Sequence, residues 1–355
     1  MFCGNILFLV HSLKGGGAER MVSRLANGFA VRGYNVSIGL FDISEFAYEI
    51  NEDVEIVNFD SDVSNKIKKG IKRIIAIHRY LKNNQTDVIF AFMVSMVPYA
   101  IISKIKNTKV IGAERANPKN LKQKYKILLR IFSPFCDGYI FQTQGAKRCY
   151  PLVTQKKSIV IGNIAPYVQK EKNAKIKNSI CSVGRLSEDK DFSSLLKAFQ
   201  LVLNVLPDTT LYIYGQGEKK QELIALAEKL SIESHVYWKG FEKNIINEIQ
   251  KHSVFAFASK TEGMPNALLE AMAAGMPCVS TDCDFGPADL IIDGENGFLV
   301  PVGDAEKMAQ RIIELLKNNS LRNKMGNDAR EIIKEYSEDK ILQSYTEYVE
   351  RIMRN

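Results

Sequence analysis

Residues 255–280 read FAFASKTEGMPNALLEAMAAGMPCVS. An apolar run over 255–258 breaks into the polar turn Glu262-Gly263-Met264-Pro265-Asn266, and a helix-forming segment then closes at Gly275 before a second apolar run. That order predicts strand, loop, helix, strand. Pro265 suits the first helical position, with Asn266 beside it and Gly263 free of a side chain, so several backbone N–H groups point out of the helix start. Such a terminus attracts phosphate. Glu262 precedes the helix and Glu270 lies on its second turn, which brings two carboxylates near one anion pocket. Carboxylates repel phosphate, so these two are suited to accept hydrogen bonds from hydroxyls, which a sugar supplies.

Working outward, the chain has 355 residues, which predicts two domains of ordinary size. Its 46% hydrophobic and 25% charged residues exclude a disordered chain. No apolar run reaches the roughly 18 residues that span a bilayer, and the first charge follows the opening apolar run where a signal peptide has it before. A cytoplasmic protein is expected. The six cysteines form no CxxC pair and sit mostly in apolar runs, as buried thiols do.

Residues 5–11 form a near-continuous apolar run followed by Lys14-Gly15-Gly16-Gly17 and a helix pattern over 18–32, the first strand, glycine loop and helix of a doubly wound domain. The loop is not GxGxxG, which disfavours a dehydrogenase-type dinucleotide site. Strands are predicted over 36–40, 88–92, 109–112, 138–141 and 158–161. Residues 163–178 turn polar and lysine-rich and read as a linker. A second such domain begins with a strand over 180–183 and the turn Gly184-Arg185-Leu186-Ser187-Glu188-Asp189-Lys190, where two cations and a helix start can neutralise a diphosphate. Strands over 211–214 and 236–238 lead into further glycine turns at Gly215 and Gly240. Helices are predicted over 305–317, 320–335 and 337–353.

Charge is uneven: residues 1–160 hold 24 Lys+Arg against 12 Asp+Glu, and the remainder 24 against 28. A basic half points to an anionic surface. Its charge concentrates in residues 66–82, where Ile67, Ile71, Ile74, Ile75 and Leu81 share a helical face, and in residues 119–132. Two ordinary amphipathic helices and an anionic membrane surface both fit this pattern. Nucleic acid does not, because no aromatic interleaving accompanies the charge. Asp282-Cys283-Asp284 alone makes a poor metal site, so no metal is expected.

These words carry a family resemblance. Glu262 through Glu270 resembles the Glu-x7-Glu motif of retaining glycosyltransferases of the GT-B fold, family 4. Gly16-Gly17-Ala18-Glu19-Arg20 is similar to that family's glycine loop, residues 184–190 to its GRLxxxK phosphate signature, and the stretch after Asp284 to its GPxxxI and NGFLVP words. Asp191 stands where the family's glycine follows the lysine. The resemblance implies two Rossmann-like doubly wound domains facing across a cleft: residues 1–163 on the acceptor side, a linker at 164–178, a nucleotide-sugar domain at 179–335, and a last helix, 336–355, crossing back to the first domain. It implies donor binding by Gly16, Gly17, Arg185, Lys190, Gly215, Gly240, Glu262, Gly263, Met264, Pro265, Asn266, Ala267 and Glu270, with Glu262, Arg185 and Lys190 catalytic. The donor expected is a UDP-sugar, taken as a substrate with no further cofactor. Where many members carry a histidine, Glu114-Arg115-Ala116-Asn117-Pro118 is similar to a word of relatives that build lipid-linked oligosaccharides, which implies acceptor contacts by Glu114, Arg115 and Asn117. The expected acceptor is a polyprenyl-diphosphate-linked saccharide, and the expected location the inner face of the cell membrane. A catalytically silent partner or glycan-binding subunit, or a nucleotide sugar epimerase, are the rival readings of the same fold.

Overall fold

The computed structural model describes residues 4–169 and 176–354. Residues 170–175 of the expected linker, and Cys3, lie outside the described residues. The chain divides into two compact units, residues 1–164 with 339–355, and residues 165–338.

The first unit is built on β1 (Asn5–Val10), β2 (Asn35–Leu40), β3 (Val54–Asn58), β4 (Val88–Phe92), β5 (Lys109–Ala113), β6 (Gly138–Phe141) and β7 (Ser158–Val160), all parallel, in the order β3-β2-β1-β4-β5-β6-β7. β4 is buried along its whole length because helices cover both faces, which is why it reads as unbroken VIFAF. Phe8 and Phe90 face each other across β1 and β4 and stack at 5.0 Å. β3 escaped the sequence pattern: as an edge strand it buries only Val54 and shows Glu55 and Ile56 to solvent.

The helix Glu338–Arg354 completes this unit. Leu342 fills the space a Cβ at Gly28 would need, 2.4 Å away, and the Tyr348 hydroxyl does the same at Gly138. That hydroxyl accepts from Tyr139 N at 2.7 Å and donates to Lys157 O at 2.5 Å, so a buried polar tip is satisfied at the amino ends of β6 and β7.

The second unit repeats the plan with β8 (Ser179–Val183), β9 (Thr210–Tyr214), β10 (Val236–Gly240), β11 (Val254–Phe257), β12 (Cys278–Thr281) and β13 (Phe298–Val300), again parallel, in the order β10-β9-β8-β11-β12-β13. Ala165 and Val168, inside the stretch read as linker, are buried in its core beside Tyr214 and Met264. The single helix predicted over 320–335 is two, Asn319–Arg330 and Ile332–Tyr336, divided at Glu331. Cys136, Cys181, Cys278 and Cys283 are buried, whereas Cys149 is exposed. No helix among the described residues is long and apolar enough to cross a membrane.

Each sheet reverses its winding once, between β1 and β4 in the first and between β8 and β11 in the second. In such sheets ligands bind at the carboxyl ends of the strands flanking the reversal. The loops after β1, β8 and β11 are those the sequence singles out.

Candidate active site

The loop after β8 is held by its neighbour's backbone. Gly184 N donates to Tyr214 O at 3.0 Å and Leu186 N to Gln216 O at 3.0 Å. A Cβ at Gly215, whose φ is +141°, would sit 1.8 Å from Gly184 O, and one at Gly217 would sit 2.3 Å from Leu186 O. Only glycine lets these two backbones touch. Gly215 N also donates to Gly240 O at 2.7 Å, which aligns the turns after β9 and β10.

A short turn, Glu188–Lys190, then leads to Asp191, which adopts φ 45°, ψ 44° and starts the helix Phe192–Leu203. A left-handed residue is required there, which accounts for the family's glycine. Aspartate tolerates that conformation and adds a cap, accepting from Ser194 Oγ at 2.8 Å and from its N at 3.4 Å.

The loop after β11 is stitched to this one. Lys260 N donates to Asp189 O at 2.8 Å, and Lys260 Nζ pairs with Glu188 at 2.6 Å. Lys190 Nζ reaches Glu262 Oε1 at 2.5 Å, with side chains 22% and 10% exposed, and lies 5.7 Å from the centre of the Phe257 ring. The partner of Lys190 thus lies 72 residues on in the chain. Arg185 is exposed and, among the described residues, enters no ion pair.

The helix after the turn is Asn266–Ala273, with Pro265 as its cap residue rather than its first helical residue, because its ψ of 104° is extended. Met264 points into the core, so it offers only backbone to a ligand. Glu270 is 7% exposed on the second turn. Gly286, at φ +94°, lets the segment after β12 close on this turn: a Cβ there would lie 2.5 Å from Pro265 Cδ and 2.9 Å from Gly263 O. Asp282 and Asp284 are exposed on either side of buried Cys283. Among the described residues no three His, Cys, Asp or Glu side chains are grouped to hold a metal.

In the first unit Gly15, Gly16 and Gly17 are exposed, and Gly16, at φ +144°, caps the helix Gly17–Val31. Tyr48 braces the loop, its hydroxyl accepting from Gly16 N at 3.1 Å and donating to Gly16 O at 3.0 Å. Lys14 pairs with Asp42 at 2.7 Å and holds that carboxyl below its usual range.

Glu114, after β5, is buried. Its side chain is turned inward and only 1% of the residue is exposed: one oxygen accepts from the N–H groups of Arg115 and Ala116 at 2.9 and 3.0 Å, the other from the Tyr150 hydroxyl at 2.8 Å. Burial pushes the carboxyl up from its usual value against the pull of these bonds. Arg115 donates to Asn163 Oδ1 at 3.2 Å and to the Tyr345 hydroxyl of the last helix, and burial brings its guanidinium down to about 9. The buried Asn117 caps the turn Pro118–Asn120 by accepting from Lys119 N. Three expected acceptor contacts are thus engaged in shaping their own loop.

Two protein families match the chain, "Glycosyl transferases group 1" over residues 164–332 and "Glycosyl transferase 4-like" over residues 6–114. The chain is a glycosyltransferase. An uncharacterised glycosyltransferase of Haemophilus influenzae is 27% identical over 95% of this chain and 97% of its own. A Campylobacter jejuni enzyme described as GalNAc-alpha-(1->4)-GalNAc-alpha-(1->3)-diNAcBac-PP-undecaprenol alpha-1,4-N-acetyl-D-galactosaminyltransferase is 26% identical over 98% of each chain. The Anabaena protein HepE, solved in complex with UDP, superposes with a TM-score of 0.83 at 19% identity, over 98% of this chain and all of that one, and so shares the GT-B fold.

In this glycosyltransferase, Arg185, Lys190, Gly215, Gly240, Glu262 and the start of the Asn266–Ala273 helix all lie on loops at the carboxyl edge of the second sheet. Tyr48 and Lys260 were missed in the sequence. Neither belongs to a motif, and each acts on a loop distant along the chain, so no local signal marks it.

Proposed function

We propose that this glycosyltransferase moves a sugar from a UDP-sugar to a hydroxyl of a polyprenyl-diphosphate-linked saccharide, with retention at the anomeric carbon and without a metal ion. The observation that carries this reading is the Lys190–Glu262 pair across the winding reversal, with Arg185 exposed alongside. Cleaving the anomeric C–O bond places negative charge on the departing diphosphate. Lys190, Arg185 and the N–H groups of the helix start supply positive charge for it where a metal would otherwise be needed. When the diphosphate engages Lys190, Glu262 loses its partner and becomes free to accept from sugar hydroxyls, while Glu270 takes the ribose. Donor binding and sugar orientation are then one event.

The acceptor class rests on the relatives, one of which acts on an undecaprenyl-diphosphate-linked glycan. The surface of the first unit supports a place on the inner face of an anionic membrane. Ile67, Ile71 and Ile75 of the helix Lys66–Asn83, and Ile127 and Ile131 of Gln123–Phe132, are exposed among lysines instead of being buried. An ordinary amphipathic helix would hide that face.

The test is a screen of UDP-, GDP- and ADP-sugars for thermal stabilisation, followed by transfer to a lipid-linked acceptor in the presence of a chelator. Stabilisation by a UDP-sugar and a product whose anomeric proton coupling matches the donor are expected. Inversion, or loss of transfer on chelation, would overturn the proposal.

A further inference from the structure

At the amino ends of β5, β6 and β7, on the sheet edge opposite the loops that follow its strands, the first unit carries a groove of about 460 Å³ lined by Lys109, Asp137, Lys156, Lys157, Ser158 and Arg351. Its one acid is already committed, since Asp137 Oδ2 pairs with Lys104 at 2.7 Å and accepts from Val110 N at 2.7 Å. Lys157 Nζ donates to Pro134 O at 2.6 Å. Lys109, Lys156 and Arg351 enter no ion pair with a described residue, and Arg351 rests its guanidinium 4.9 Å from the centre of the Tyr348 ring. The groove therefore collects positive charge that the protein itself does not neutralise. Burial lowers the affinity of Lys157 for a proton, and Asp137 opposes that shift.

The rim next to these cations is apolar and exposed. On the short helix Leu152–Lys156, Leu152 and Val153 are 73% and 58% exposed one turn before Lys156 and Lys157. Phe135, 66% exposed, follows the residue whose carbonyl holds Lys157, and Ser133 Oγ bonds Thr154 Oγ1 at 3.0 Å to lock the two segments together. A free anion would use the cations and leave three apolar side chains in water. A lipid with a phosphate headgroup uses both.

We propose that this groove binds the phosphate of an anionic phospholipid headgroup, with Phe135, Leu152 and Val153 entering the acyl boundary beside it. The site deepens the membrane reading above by naming where a lipid is held, and it uses none of the donor-binding residues. It would fix the edge of the first sheet against the bilayer, leaving the loops at the opposite edge to the reaction.

The chain has one tryptophan, Trp238, in the second unit, so Leu152→Trp places a reporter on the rim. Its emission should shift to the blue with vesicles of phosphatidylcholine plus phosphatidylglycerol and stay unchanged with phosphatidylcholine alone. Adding Lys109→Ala, Lys156→Ala and Arg351→Ala should weaken vesicle affinity at low salt by roughly 100-fold and abolish the shift, with donor turnover unchanged. Lys156→Glu alone, at an exposed position, gives the same direction of change should the triple variant fold poorly. Sedimentation of the Leu152→Trp variant with anionic vesicles while the rim reporter stays silent would overturn the groove and leave the membrane reading standing. No sedimentation at all would overturn both. Stabilisation by inorganic phosphate with no vesicle response would assign the groove to a soluble anion and overturn the lipid.

Discussion

The carboxyl edges of the two sheets hold their motif charges differently. In the second unit the charged groups pair near the surface, Lys190 with Glu262 and Lys260 with Glu188, each bond joining two loops. In the first unit Glu114 and Arg115 are tied inward to Tyr150, Asn163 and Tyr345, while the loop after β1 shows its glycine backbone beside Lys14, which pairs with Asp42. A partly exposed pair can exchange partners when a charged ligand arrives. A buried one cannot do so without leaving a charge unpaired. The second edge is thus equipped to respond to a substrate, and the first to hold its shape.

That contrast breaks most visibly at Lys190. Lys190→Ala removes a donor to developing negative charge, so the transfer rate should fall by about 10²- to 10³-fold, read from initial rates at saturating UDP-sugar. A rate near that of the unaltered enzyme would leave Lys190 only its ion pair with Glu262.

Acid should separate the units next. His252 is fully buried against Tyr212 and Tyr214, and burial lowers it from 6.5 to about 4, opposed by Glu248. A depressed histidine contributes stability that is complete above pH 6.5 and is lost as pH falls toward 4, a total of about 3 kcal/mol. Glu114 runs the other way: its raised value favours the folded state at low pH and weakens it as pH rises through that value. Hydrogen exchange measured between about pH 7 and 5 should therefore show protection falling in the second unit first, and His252→Gln should remove that difference.

Gly215→Ala tests the backbone contact under the Arg185 loop. A methyl group 1.8 Å from Gly184 O cannot be accommodated without movement, so a loss of about 2 kcal/mol is expected by denaturant unfolding, with weaker donor binding. Smallest is Tyr345→Phe, which takes a hydroxyl from Arg115. It should cost about 1 kcal/mol of stability and leave turnover at saturating substrates nearly unchanged. A large kinetic effect would mean that Arg115 acts on substrate directly.

The second edge was legible because its elements follow one another closely: an apolar run, a turn rich in glycine and proline, and a helix sit within 26 residues, and GRLSEDK gives its cations in one word. Even the departure at Asp191 fits once its left-handed backbone is seen. The first edge was less so. The word Glu114-Arg115-Ala116-Asn117 has the composition of a binding loop, yet side-chain direction depends on Tyr150, Asn163 and Tyr345, up to 230 residues away. β3 was lost because an exposed edge strand lacks the apolar run that marks a central one. The exposed isoleucines of Lys66–Asn83 share a face with Leu81 in the helical pattern, and only packing reveals that the core ends near Ile77.

The last helix gives the chain an order of assembly. Because Asp339 onward belongs with residues before 165, the second unit is an insertion within the first. A ribosome finishes the inserted unit before it supplies the helix that covers Gly28, Phe90 and Gly138. Until then the earlier-made half waits with an apolar seam open to water, a surface of the kind chaperones recognise, and a nascent chain halted at residue 338 would keep it open.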